Sequence, residues 1–263
     1  MPKGAARTAG RYYIAAVGKA LDVLEALRDA ERLSLAELSE RVGQPRSSLF
    51  RILDTLECRG YVEHLPDVDG YALGLAAASL AGRHTVSAAL RRVARPVLTE
   101  LAEELGETVN LGMLLGAEVV YVDMVESHYA MRMNVTIGSR SPAHSTSLGK
   151  ALLAFAGPEV DLQRLLPPAL PAMTPNTITD REQLLKELKV VRARGWSLDD
   201  EENEPGARCV GAPILGNQGS AVAAISVAGP ASRLSDDRVP QVARLITAAA
   251  GKIAAELAVY KIA

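Results

Sequence analysis

"QPRSSLFRILDTLECRGYV", Gln44 to Val62, divides into a polar, basic front and an apolar back. Leu49, Ile52, Leu53 and Leu56 recur at i, i+3, i+4 and i+7, the spacing of one buried helical face. At about 100° per residue, Ser47, Arg51 and Asp54 point away from that face, with Arg46 and Ser48 on its flanks. From Arg41 to Arg51 the chain carries three arginines and no acid. Such a helix can offer cations to a polyanion while its back is anchored on a core.

The flanking sequence supplies that core. "AVGKALDVLEALRDA" places Val17, Leu21, Leu24 and Leu27 at helical spacing, which predicts an amphipathic first helix with these residues inward. In "SLAELSERVG", Ser34 and Glu37 form a capping-box signature, Leu35, Leu38 and Val42 a buried stripe, and Gly43 a stop. Pro45 then fits the first position of the next helix. After Gly60, "YVEHLPDVDGYALG" reads as two short strands around a turn. Helix, helix, tight turn, third helix and hairpin is the order of a winged helix-turn-helix, whose third helix enters a major groove. Gln44, Arg46, Ser47, Ser48 and Arg51 are the candidate groove contacts. The hairpin from His64 to Tyr71 is the wing, and its acidic tip, Asp67-Val68-Asp69, argues against strong phosphate contact there. The same helices could instead dock a protein, since an arginine-bearing face is often only a solvated one.

With 263 residues the chain has room for two domains, and 48% hydrophobic with 23% charged residues describes a soluble globular protein. Net charge is −2, so any nucleic-acid binding must rest on local charge; residues 1–84 hold eleven basic and eleven acidic side chains. No apolar run approaches the roughly 20 residues of a membrane span, and the N-terminus does not read as a signal peptide. Cys58 and Cys209 match no zinc spacing, and a reduced cytoplasm is expected. No two histidines have chelating spacing, so neither a metal nor a cofactor is expected.

"LGLAAASLAGRHTVSAALRRVARPVLTELAEELG" (Leu73–Gly106) reads as helical, with breaks expected near Gly82 and Pro96; its alanine-rich start suits packing against a second copy. Beyond it "TVNLGMLLGAEVVYVDMVE" predicts two strands around a Gly-Ala turn, and "MRMNVTI" a third. "TSLGKALLAFA" and "DREQLLKELKVVRARG" read as helices, and "GWSLDD", "ARCVGAPIL" and "SAVAAISVAG" as strands. The last 25 residues or so predict a helix with Val239, Val242, Leu245, Ile246 and Ile253 inward. The fold class is α+β: an antiparallel sheet flanked by helices.

"STSLGKA" is not a phosphate loop: His144 stands where the motif's first glycine belongs, and Ala151 where its Ser/Thr would hold magnesium. It leaves a helix start near Thr146, whose free N–H groups can hold a carboxylate. His144, Cys209 and Asp199 suggest a thiol hydrolase, but Cys209 lies within a strand, with no oxyanion loop beside it. The chain is expected not to be an enzyme, with a Cys209 enzyme or a protein-interaction module as the alternatives.

"GKALDVLEAL", "LSLAELSERVG", "PRSSLFRILDTLECRGYVEH" and "YALG" resemble the winged helix of the isocitrate-lyase-regulator (IclR) family of bacterial transcription factors. "SPAHSTSLGKALLA", "GWSLDDEENEPGARCVGAPI" and "AAISVAGPASRL" resemble its C-terminal effector domain. The resemblance implies a DNA-binding domain (1–74), a linker helix (75–89) and a GAF-like effector domain (90–263). It further implies dimers, often paired into tetramers, on double-stranded operator DNA. Carried over by motif, the effector pocket comprises the amides of Ser147 and Leu148, together with Asp199, Cys209 and Ser226. A second strand serine often found in the family is here Ala228, so the pocket lacks one hydroxyl. Methionines 113, 124, 131 and 133 are expected to supply soft walls. The expected effector is a small organic acid, such as an aromatic carboxylate.

Overall fold

The computed structural model describes residues 13–28, 30–66, 69–80 and 86–259. Two compact units divide between Thr85 and Val86.

The first unit contains α1 (Ala15–Arg28), α2 (Leu35–Val42), α3 (Arg46–Cys58), the hairpin β1 (Val62–Leu65) and β2 (Gly70–Leu73), and α4 (Leu75–Leu80). The capping box is formed: Glu37 N donates to Ser34 Oγ at 3.3 Å and Ser34 N to Glu37 Oε2 at 2.8 Å. Gly43 closes α2 at φ 65°, where a side chain would be strained, and its N–H donates to the Ser39 carbonyl. Ser39 Oγ donates to Gln44 O at 2.6 Å, which fixes the turn into α3. Pro45 is the cap residue and not the first helical one; the helix begins at Arg46. Val23, Leu27, Leu38, Leu49, Leu53 and Val62 form the core. Val17 and Leu21, expected inward, are each 54% exposed. They lie about 80–120° round α1 from Leu27, because Val23 and Ala26 take the inner face instead. The wing-tip residues Asp67 and Val68 lie outside the described residues.

The second unit opens with α5 (Val86–Leu105), unbroken at Pro96. The expected break fails because buried Val93, Ala94, Val97 and Leu98 hold both sides of the proline on the core. Gly82, the other expected break, lies outside the described residues. An antiparallel sheet follows in the order β5-β4-β3-β8-β7-β6. Its strands are β3 (Thr108–Leu115), β4 (Glu118–Val125), β5 (Arg140–Pro142), β6 (Ser197–Asp200), β7 (Ala207–Leu215) and β8 (Ala221–Pro230). One face packs on α5 and the C-terminal α9 (Val239–Val259). The other packs on α6 (Ser147–Ala154) and α8 (Arg181–Arg194), with the short α7 (Leu162–Leu165) nearby in sequence.

"MRMNVTI" is not a strand. Residues 126–139 form a loop, and the third meander strand is β5, paired with β4. Two of the loop's carbonyls bond to side chains: Thr108 Oγ1 donates to Met133 O at 2.9 Å and Arg233 to Met131 O at 3.0 Å. Arg233 also grips the fully buried Glu107 through two bonds of 2.7 and 2.8 Å.

Candidate functional site

On α3, Arg46, Ser47 and Arg51 are exposed and Ser48 is half-buried. Neither arginine forms an ion pair among the described residues, so both guanidinium groups remain available to an anion. Gln44 is half-buried in the turn that precedes α3. A polar helical tip carrying unpaired cations, mounted on buried Leu49 and Leu53, is what a duplex groove requires.

The second site is a cavity of about 300 Å³ over the helix-α6 face of the sheet. Ser147, Leu148, Asp199, Cys209 and Ser226 all line it, and so does Ala228 at the position of the missing hydroxyl. Three strand registers bring these together: Asp199 pairs with Cys209, Cys209 with Ala228, and Ser226 with Asn110. Thr146 caps α6, with its Oγ1 accepting from Gly149 N at 3.2 Å. Ser147 and Leu148 are the first two helical residues, whose N–H groups have no acceptor within the helix. The helix start is held down from below, since Ser197 Oγ donates to Ser147 O at 2.6 Å. Two glycines permit this approach: a Cβ on Gly149 would lie 2.2 Å from Ala143 O, and one on Gly211 2.8 Å from Ser147 O.

Among the described residues no arginine, lysine or histidine lines the cavity. Its buried acid, Asp199, is 2% exposed, and burial raises its pKa to about 7 against the bonds from Glu202 N and Asn203 N. Those bonds measure 2.9 and 3.2 Å, both to Oδ1. Cys209 hydrogen-bonds the same carboxylate, and burial, then Asp199, pushes its thiol well above the ordinary range. A suppressed thiolate is a poor nucleophile. His144, the base of the hydrolase alternative, turns instead to Pro171 O at 2.9 Å, and burial lowers its pKa. Among the described residues no group of three or more His, Cys, Asp or Glu could hold a metal ion.

Of the methionines expected as walls, only Met133 lines the cavity. Met113 packs on the α5–α9 face, and Met131 is 68% exposed on the loop. Alternation explains Met113: Asn110 and Gly112, two apart on β3, face α6, and Met113 turns the other way with Leu111. Sequence reasoning missed Asn110, Tyr121 and Ser141, all lining residues. Asn110 could have been found, as the one amide in the apolar run "TVNLGMLL". It also missed that Lys150 of the "LGK" motif is 1% exposed and ion-paired to Glu202. Burial raises the Glu202 pKa, opposed by Lys150.

Residues 83–255 match the family of bacterial transcriptional regulator IclR C-terminal domains, and residues 16–66 match the IclR helix-turn-helix domain. The chain belongs to the IclR family of bacterial transcriptional regulators. It is 38% identical over 249 residues to the HTH-type transcriptional regulator BhcR of Paracoccus denitrificans, covering 94% of this chain and 89% of that one. With the transcriptional repressor IclR of Escherichia coli it shares 34% over 238 residues, 89% of this chain and 87% of the other. The fold superimposes with a TM-score of 0.81 on the crystal structure of an IclR homologue complexed with 4-hydroxybenzoate from Microbacterium hydrocarbonoxydans. That match has 27% identity and covers 93% and 99% of the two chains. Like its relatives, this IclR-family chain joins a helix-turn-helix DNA-binding domain to a C-terminal ligand-binding domain. No described helix is long and apolar enough to cross a membrane.

Proposed function

We propose that this regulator binds double-stranded operator DNA through Gln44, Arg46, Ser47, Ser48 and Arg51. A small organic acid, of the size of an aromatic monocarboxylate, occupies the C-terminal cavity and controls that binding. The carboxylate end lies at the Ser147 and Leu148 amides, with Asp199, Cys209 and Ser226 around the body of the ligand. The observation that carries this reading is the cavity without a cation: a helix start is the one source of positive potential among its lining groups. A volume of about 300 Å³ is at the lower end for small-molecule sites and suits one ring or less. The homologue bound to 4-hydroxybenzoate lends support from a chain of the same fold.

In this reading residues 1–74 bind DNA, 75–89 link, and 90–263 bind the effector. Two copies place their α3 helices about 34 Å apart on a pseudopalindrome, and dimers pair into tetramers. The protein works in the cytoplasm and is not an enzyme, in keeping with the suppressed Cys209 thiol. A gel shift on DNA flanking its own coding region tests the first half; a salt-sensitive shift is expected, and none would favour a protein-docking module. Thermal melting with 4-hydroxybenzoate and related acids tests the second half. An acid at 100 times its Kd should add about 2.7 kcal/mol of stability, and no shift with any of them would refute the acid site.

A further inference from the structure

The cavity contains an acceptor that no described residue satisfies. Asn110 on β3 is 3% exposed; its Nδ2 donates to Ser226 Oγ at 3.4 Å, while its Oδ1 is buried without a hydrogen-bond partner. A buried carbonyl oxygen left unpaired bears its full desolvation penalty, which a ligand donor can relieve.

Several other polar groups of the wall are already engaged. Asp199 receives two backbone N–H bonds and one from Cys209. The Tyr121 hydroxyl is hydrogen-bonded to Ser141. Thr146 Oγ1 donates to Pro142 O and accepts from Gly149 N. On β8 the residue two beyond Ser226 is Ala228, which offers nothing. The α6 amides are donors, so they select the acidic end of a ligand and leave its other substituents unread.

We propose that Asn110 is a specificity-determining residue: the effector carries, besides its carboxylate, an O–H or N–H donor that reaches Asn110 Oδ1. The pocket therefore prefers hydroxy acids to the same acids without the hydroxyl. This rests on the reading of the cavity as an acid site.

Calorimetric titration of the full chain tests it, using benzoate against 3- and 4-hydroxybenzoate and butyrate against 3-hydroxybutyrate. At least one hydroxy acid should bind about tenfold or more tightly than its parent, because a site built around a hydroxyl rejects the analogue lacking it. In Asn110→Leu the preference of hydroxy acid over parent should shrink to about threefold or less. Equal binding of parents and hydroxy acids to the wild type would overturn the assignment and leave the acid site standing. A preference that survives in Asn110→Leu would overturn it too. Binding by none of these acids would remove the acid site and the assignment together. Should Asn110→Leu not fold, Asn110→Ala makes the same comparison.

Discussion

The two ends of this molecule meet anions by opposite means. On α3 the positive charge is carried by long, exposed side chains, Arg46 and Arg51, which on the proposed reading stay in water until DNA arrives. In the C-terminal cavity no cationic side chain lines the wall, and the positive end of α6 replaces it. The difference follows from burial. A guanidinium at the surface costs little to keep and is free to track a phosphate backbone, whereas an unpaired cation in a closed cavity would pay a large desolvation cost. The protein illustrates that cost beside the cavity, where its buried lysine, Lys150, is matched by Glu202.

The contrast can be attacked first at that pair. Lys150→Ala should cost about 3–5 kcal/mol of stability in the C-terminal unit, because it abandons a carboxylate in the interior. Replacing both partners, as Lys150→Met with Glu202→Leu, should recover most of it, and urea melts of the single and double variants read the difference. At the surface, Arg51→Ala should weaken operator binding by about 1–3 kcal/mol if it reads a base edge, with an unchanged melting temperature. Raising salt from 50 to 200 mM should cut DNA affinity steeply and acid affinity hardly at all, since buried charges are little screened; equal sensitivity would mean that the cavity is open to ions.

Titration gives the next test. The Asp199 pKa is about 7 in the folded chain and near 3.8 unfolded, so the native state holds the extra proton between these values. Stability should therefore fall as pH rises from about 4 to 7, by about 4 kcal/mol from this group, and level off above. Glu202, also raised, adds to the same trend. Asp199→Asn should flatten most of that slope. An anionic effector prefers the neutral aspartic acid, so its affinity should also decline above pH 7, and less so in the variant. The smallest effect is expected from Ala228→Ser, which adds a hydroxyl to the sheet floor and should tighten binding of compact, oxygen-rich acids by about 1 kcal/mol.

The same contrast explains what the sequence disclosed. The DNA-binding surface is local: twenty residues carry its charge, its apolar underside and its caps, so Ser34, Glu37 and Gly43 could be read directly, and family likeness was hardly needed. The cavity is assembled from β3, β4, β8, β7, β6 and α6, elements more than a hundred residues apart. Motif likeness found Ser147, Leu148, Asp199, Cys209 and Ser226 on the wall, but it did not reach Asn110 or Tyr121, which lie outside those motifs. The methionines failed for physical reasons, since alternation gives Met113 to the strand face away from the cavity and Met131 stands exposed on a loop. Val17 and Leu21 failed because helical spacing gives a stripe without saying which of two apolar stripes a neighbour will cover.

One hydroxyl outside the wall has a wider reach than its size suggests. Thr108 Oγ1 donates to the Met133 carbonyl and accepts from the Ser127 amide at 3.2 Å. Two points of the loop that roofs the cavity are thus knotted at a single oxygen. Thr108→Val keeps the shape and unties both, and it is expected to quicken ligand exchange through an atom that need never meet the ligand.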